Sequence, residues 1–395
     1  MNIKTKEDER VANHRTKKTL TIYPFNQKFP TVYESTIELF SKRYNLNYYP
    51  RKWSTFYQLK DNRFIRNSYY FVMRILRKFL KNKPKISAEK NLLFCFNQLP
   101  PQEFEFIIDL ENVTGLANYD YSKIDKEYIS KRLGNKKCKA IMCWNQASYE
   151  GLTKTIDCSK FKNKINVIPF GGDDSKLQKK HKKSLNFLFV SSVNNPISFE
   201  TKGGLIALET YAKLAKKYKN IKFFVRANIS KKLVKEYKDV PGLVFLTKYL
   251  SENKMKELFS YSDILLVPIP GIDLFSKCME FGIPAVSFDY GVAYEIIDDN
   301  KTGFLIDSSK IFKYRNNIEK LHNNENKYYQ LLFKKEECLK FVPEFTKKSE
   351  ILIKNKNLLN KMTKNQHSLV EDGGKYSLKK RNQKLIKLID PHMVN

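Results

Sequence analysis

Residues 266–306 read LVPIPGIDLFSKCMEFGIPAVSFDYGVAYEIIDDNKTGFLI, and few architectures accept such a run. Short stretches that are apolar throughout alternate with glycine-bearing turns and one short charged helix. Strands without a polar face belong to parallel sheets covered on both sides. A glycine turn that leaves such a strand and opens a helix puts ligand contacts at the strand's carboxyl end. The segment therefore predicts an open α/β sheet with a crevice along that edge.

The same rhythm extends over most of the chain. Strands are predicted at 19–23, where Pro24 stops the first, and at 91–96, 104–110, 139–144 and 165–168, with a helix at 32–44. A second series has strands at 185–190, 221–225, 243–246, 264–267 and 285–288, with helices at 204–217 and 253–261. Strand, helix, strand in this order means parallel, doubly wound sheets. At 395 residues the chain exceeds one comfortable core, so two such domains are expected. Pro169 and Gly171-Gly172 in NVIPFGGDD supply the linker. The resulting division is a flexible lead at 1–18, an N-terminal domain at 19–170, a C-terminal domain at 171–350 and a basic helical tail at 351–395.

Charge narrows the partners. Seventy-three Lys and Arg against 41 Asp and Glu leave a formal +32, which favours an anionic ligand or surface. Nucleic acid is the weaker reading, because the aromatic residues fall in strand and helix cores rather than among basic ones. Cys95, Cys138, Cys143, Cys158, Cys278 and Cys338 form no CxxC pair and sit mostly in apolar runs, so buried free thiols are expected. The charged N-terminus lacks an apolar leader, and no apolar run of membrane-spanning length occurs, so the expected location is cytoplasmic.

Three further patterns lie on the second series. Thr201-Lys202-Gly203-Gly204 opens the helix that follows strand 185–190. Gly282-Ile283-Pro284 closes a helix carrying Asp273, Lys277 and Glu280. Gly291-Val-Ala-Tyr-Glu295-Ile-Ile is followed by Asn300-Lys-Thr-Gly303-Phe-Leu-Ile. Together with the linker, these resemble GT-B glycosyltransferases, and more specifically retaining family 4 (the group 1 glycosyl transferases). The resemblance implies two Rossmann-like domains facing across a cleft, a nucleotide-sugar donor, a glycan or lipid-linked acceptor, retention of configuration, and no metal or other cofactor.

The family motifs carry over residue by residue. Lys202 with Gly203 and Gly204 corresponds to the turn that meets the donor diphosphate, where a helix N-terminus adds backbone donors. Gly291 and Glu295 correspond to the loop that lines the sugar. Two glutamates with seven residues between them, a spacing of eight, bind the sugar and the ribose in the family, so either alignment here needs a local deletion. Aligning on Gly282-Ile-Pro284 puts Lys277 at the second of them, whereas aligning by charge makes Glu280 the ribose residue and Asp273 the other acid. Both alignments stay open. The stretch SSVNNPISFE lacks the arginine that the family has after the preceding strand, and YPFNQKFP lacks its glycine-rich loop. Asp109, Glu111 and Asn112 end a strand and are the acceptor-side candidates. His14, His181, His322, His367 and His392 lie in polar or terminal segments, and none offers a cleft base.

Residues 63–85, RFIRNSYYFVMRILRKFLKNKPK, have eight basic residues and no acid. At helical spacing their apolar side chains share one side, which suits an anionic membrane interface. A catalytically silent binding or scaffold protein on the same fold is the alternative, because the acid pair is displaced.

Overall fold

The computed structural model describes residues 18–25, 31–50, 92–117, 121–174, 179, 183–309 and 331–393. The amphipathic stretch at 63–85 lies outside these described residues, as do His14, His181 and His322. The chain divides into two compact units, one of residues 1–142, 158–166 and 385–395, the other of residues 143–157 and 167–384.

The first unit is built on a sheet of order β2-β1-β3-β4-β5-β6. Its strands are β1 (Thr19–Phe25), β2 (Asn45–Pro50), β3 (Leu92–Phe96), β4 (Glu105–Leu110), β5 (Cys138–Cys143) and β6 (Ile165–Val167). Helix α1 (Thr31–Arg43) leads from β1 to β2, and α2 (Lys126–Gly134) precedes β5. Every residue of β3 is buried, as its wholly apolar LLFCF requires of a central parallel strand. Phe40 of α1 packs edge-on against Phe94 at 4.9 Å between ring centroids. Two sequence expectations are corrected here. Pro24 does not stop the first strand; β1 continues to Phe25, with a register shift after Ile22 where proline cannot donate. Strand β2, NLNYYP, goes unpredicted because an edge strand needs no apolar run.

The second unit follows a six-stranded order, β12-β11-β10-β7-β8-β9. Its elements begin with α3 (Gln146–Thr155), β7 (Leu185–Val190), α4 (Ser198–Thr201), α5 (Gly204–Lys217), β8 (Ile221–Arg226), α6 (Lys231–Glu236) and β9 (Leu243–Leu246). Then come α7 (Glu252–Ser260), β10 (Ile264–Leu266), α8 (Ile272–Glu280), β11 (Ala285–Phe288), α9 (Ala293–Ile296) and β12 (Gly303–Ile306). Helices α10 (Lys335–Leu339), α11 (Val342–Lys354), α12 (Lys356–Ser368) and α13 (Leu378–Ile389) complete the chain. Each neighbouring strand pair is parallel.

Helix α11 runs unbroken through the division expected at 350/351. Leu352, Leu359 and Met362 belong to the same apolar core as Phe187 and Val286, so α11 and α12 are part of the second unit's packing. Fully buried side chains at helical spacing hold them there. All six cysteines are free and buried, as expected. Among the described residues no helix is long and apolar enough to cross a membrane.

Candidate donor site at the carboxyl edge of the second sheet

The chain enters the second sheet at β7, steps outward through β8 and β9, then returns to pair β10 with the other side of β7. The strand order reverses between β7 and β10, and a reversal of this kind puts ligand contacts at the strands' carboxyl ends.

The loop after β7 ends in the one-turn helix α4, with Lys202 as its last cap and Gly203 in the left-handed region at φ +78°. Gly203 is fixed by both dihedral and space, since a Cβ there would lie 2.6 Å from Cβ of Pro268. A Cβ at Gly204 would fall 2.2 Å from the buried Phe199 ring. Helix α5 starts without a side-chain cap, leaving its first-turn amides unsatisfied by any capping group. The carbonyl of Lys202 accepts from the Ile269 amide at 3.2 Å, so this turn is tied to the loop after β10. That loop is tied onward: the Pro268 carbonyl accepts from the Phe288 amide and the Ser287 hydroxyl, both at 3.0 Å. The Lys202 turn, the loop after β10 and the end of β11 thus meet at Pro268. Gly291 follows β11 with φ +61°, and a Cβ there would meet nothing within 4 Å.

Helix α8 starts at this convergence and buries Leu274, Phe275, Cys278 and Met279. Asp273 lies exposed in its first turn, and a Cβ at Gly271 would be 2.7 Å from its Oδ1, so the carboxylate folds over that glycine. Glu280 is at the other end, seven residues on and therefore about 10 Å along the axis. There Oε2 pairs with Lys277 Nζ at 2.7 Å and Oε1 accepts the Asp173 amide at 3.2 Å. His367, expected in a polar segment, is in fact buried; its Nδ1 lies 3.0 Å from the Glu280 carbonyl and 3.3 Å from that of Met279. The structure brings Lys277 and Glu280 together at the linker end of α8. It does not bring Asp273 to either.

Glu295 is engaged elsewhere as well. Its carboxylate accepts the Gln146 amide at 2.8 Å and the Ala147 amide at 2.7 Å, capping α3. Burial raises its carboxyl above the ordinary range, with the two amides and Lys375 acting in the other direction. Its carbonyl accepts from Tyr376 Oη at 2.9 Å and Lys375 Nζ at 3.1 Å. The residue that the motif resemblance assigns to the sugar loop caps α3 in this structure.

In the first unit, Asp109 is wholly buried and Asn112 Oδ1 accepts the Thr114 amide at 2.9 Å, starting the 3-10 turn Val113–Ala117. Glu111, like Asn112, stays half-buried at the edge. Its amide donates to Asn97 Oδ1 at 2.7 Å, and Asn97 Nδ2 donates to Tyr33 Oη at 3.1 Å. Asn97, at φ +52°, was not singled out from the sequence; an asparagine just past a strand is the signal, since it tolerates that dihedral. Among the described residues no group of three His, Cys, Asp or Glu could hold a metal ion.

Two Rossmann-like parallel sheets of this order define the GT-B fold. Residues 173–335 match the family described as Glycosyl transferases group 1. Three solved structures are similar over nearly their whole length. Anabaena HepE, solved with UDP and glucose, gives a TM-score of 0.56 at 12% identity, covering 95% of this chain and 99% of that one. WaaG, a glycosyltransferase involved in lipopolysaccharide biosynthesis, gives 0.55 at 14%, covering 94% and 99%. A glycosyltransferase from Rickettsia africae gives 0.53 at 15%, covering 96% and 100%. The chain spans 55% of the length of S. aureus TarM and 60% of pneumococcal GtfA, to which it is also similar. Among curated proteins none matches the chain in sequence.

Proposed function

We propose that this chain is a glycosyltransferase that moves a sugar from a nucleotide-sugar donor to a glycan or lipid-linked acceptor, with retention. The convergence of the Lys202 turn, the uncapped α5 N-terminus and the Pro268–Gly271 loop at the switch point carries this reading. A lysine beside helix amides that no side chain caps suits a diphosphate, and Gly291, where a Cβ would meet nothing within 4 Å, lets a sugar approach the backbone. Asp273 is the acid at that end of α8, where a carboxylate can stabilise positive charge developing at the anomeric carbon. In the transfer, the bond from that carbon to the phosphate oxygen breaks as the acceptor oxygen bonds to it. The departing phosphate takes the acceptor's proton. Glu111 is the acceptor-side candidate in this reading.

Isothermal titration with UDP, GDP and their sugars tests the donor half, and UDP comes first because the HepE structure holds it. Wild type should bind one nucleotide, and Lys202→Ala should lose most of that affinity. Binding of none would sink the reading. One observation favours the second reading, a silent scaffold: Glu280 and Glu295, two of the acids expected at the donor, are bonded elsewhere. Slow donor hydrolysis without acceptor separates the two, since only the enzyme releases free sugar. Flotation with anionic vesicles tests the third element, membrane seating through 63–85.

A further inference from the structure

Arg226 closes β8 opposite Val190, the last residue of β7. Its carbonyl accepts the Ser191 amide at 2.9 Å, and its Nη1 donates back to the Ser191 carbonyl at 2.8 Å. The guanidinium is thereby fixed over the carboxyl end of β7, the strand that borders the switch point. Asn228 Nδ2 donates to the Val193 carbonyl at 3.0 Å, so the loops after β7 and β8 are joined just beyond it. Ser191 is 7% exposed, and neither its Oγ nor Arg226 Nε has a hydrogen-bond partner among the described residues.

A half-buried cation ordinarily has a carboxylate beside it, because an uncompensated charge out of water is expensive. Among the described residues Arg226 has no carboxylate beside it. Burial lowers its basicity, and the one titratable neighbour acting against that loss is Tyr249, a phenol rather than an acid.

We propose that Arg226 is a phosphate-binding residue, and that the diphosphate of the donor lies over the ends of β7 and β8 between this guanidinium and the Lys202 turn. The proposal rests on the nucleotide-sugar reading above. A guanidinium presents a planar fork that matches phosphate oxygens in pairs, and one nitrogen held by Ser191 pre-sets its orientation. The Ser191 hydroxyl can rotate to donate to the same anion. Two cations on opposite flanks then neutralise a diphosphate more fully than a monophosphate.

Titration of UDP, GDP and the matching monophosphates into wild type, Arg226→Gln and Lys202→Ala tests this. Glutamine keeps a donor for the Ser191 carbonyl and removes the charge. Arg226→Gln should weaken diphosphate binding roughly ten- to a hundredfold. Monophosphate binding should weaken less, and the melting temperature should stay near wild type. Diphosphate affinity within about twofold of wild type would overturn the proposal. If Lys202→Ala loses binding while Arg226→Gln keeps it, the Arg226 assignment alone fails. If wild type binds no diphosphate, the nucleotide reading fails and takes this one with it. Should Arg226→Gln unfold, arginine labelling of wild type by phenylglyoxal replaces it. UDP should slow labelling of Arg226 and uridine should not; equal rates would overturn the assignment.

Discussion

At the carboxyl edge of the second sheet the loops meet through their backbones. The Lys202 carbonyl takes the Ile269 amide, the Pro268 carbonyl takes the Phe288 amide, and Gly203 lies against Pro268. At the first sheet's edge, among the described residues, the Asn97 amide bonds the Asp109 carbonyl and the Asn97 side chain adds the junction to the start of the β4 loop and to Tyr33. Backbone junctions impose glycine and proline at fixed places. A side-chain junction imposes only one polar residue, so the two edges should respond differently to substitution.

The largest effect is expected at Gly203. Alanine there adds left-handed strain to an overlap with Pro268, and the unfolding free energy should fall by about 2–4 kcal/mol. Gly291→Ala meets open space and should cost only the dihedral, about 1–2 kcal/mol. Calorimetric melting of both variants sharpens the comparison. Equal losses would mean that approach to Pro268 does not fix the turn.

Asn97→Ala should come next, at about 2 kcal/mol, because two hydrogen bonds of a buried side chain go together. Chemical denaturation measures it. A loss below about 0.5 kcal/mol would show that the first edge is not held by this residue and would break the contrast.

The two ends of α8 give a smaller and more pointed test. Glu280→Gln keeps an acceptor for the Asp173 amide and loses an ion pair with a half-exposed lysine, a cost below about 1 kcal/mol. Nucleotide affinity should be unchanged. Asp273→Asn should leave melting alone and lower donor hydrolysis roughly tenfold, as loss of a transition-state carboxylate does. The reverse pattern would move the chemistry to the linker end of the helix.

The legibility of the chain follows the same contrast. Both sheets could be read from apolar runs, since central parallel strands such as LLFCF and LNFLFV have no polar face to hide them. Lys202-Gly203-Gly204 and Gly291 could be located because their dihedrals and approaches exclude other residues. Strand β2 could not, being an edge strand of Asn and Tyr. Nor could the destinations of Glu280 and Glu295 be read, because a carboxylate's partner depends on what the fold brings to it: the Asp173 amide, 107 positions away, and the Gln146 amide, 149 away. His367 was hidden for the same reason. Arg226 is the last residue of a strand, which carries no signal in sequence; its bond to the Ser191 carbonyl and the lack of an acid beside it among the described residues mark it.

Acid titration should set the two units against each other with opposite slopes. Burial places the Glu295 carboxyl above its ordinary 4.5, so the fold favours the protonated form. Its contribution is fully present below pH 4.5 and is lost as pH rises through the raised folded value. Asp390 in the first unit is drawn below 3.8, chiefly by its hydrogen bond with Arg43 and also by Tyr44. Its contribution is present above pH 3.8 and is lost as pH falls through the lowered value. Glu295→Gln carries no titrating group and can still accept one amide, so the stability of wild type minus that of this variant should decline from about pH 4 upward. Wild type minus Asp390→Asn should instead grow over the approach to pH 4 from below and then level off. Denaturant midpoints at steps between about pH 3 and 7 would show it. Parallel curves would mean that the α3 cap holds Glu295 as an ordinary surface carboxylate, and that the two amides outweigh its burial.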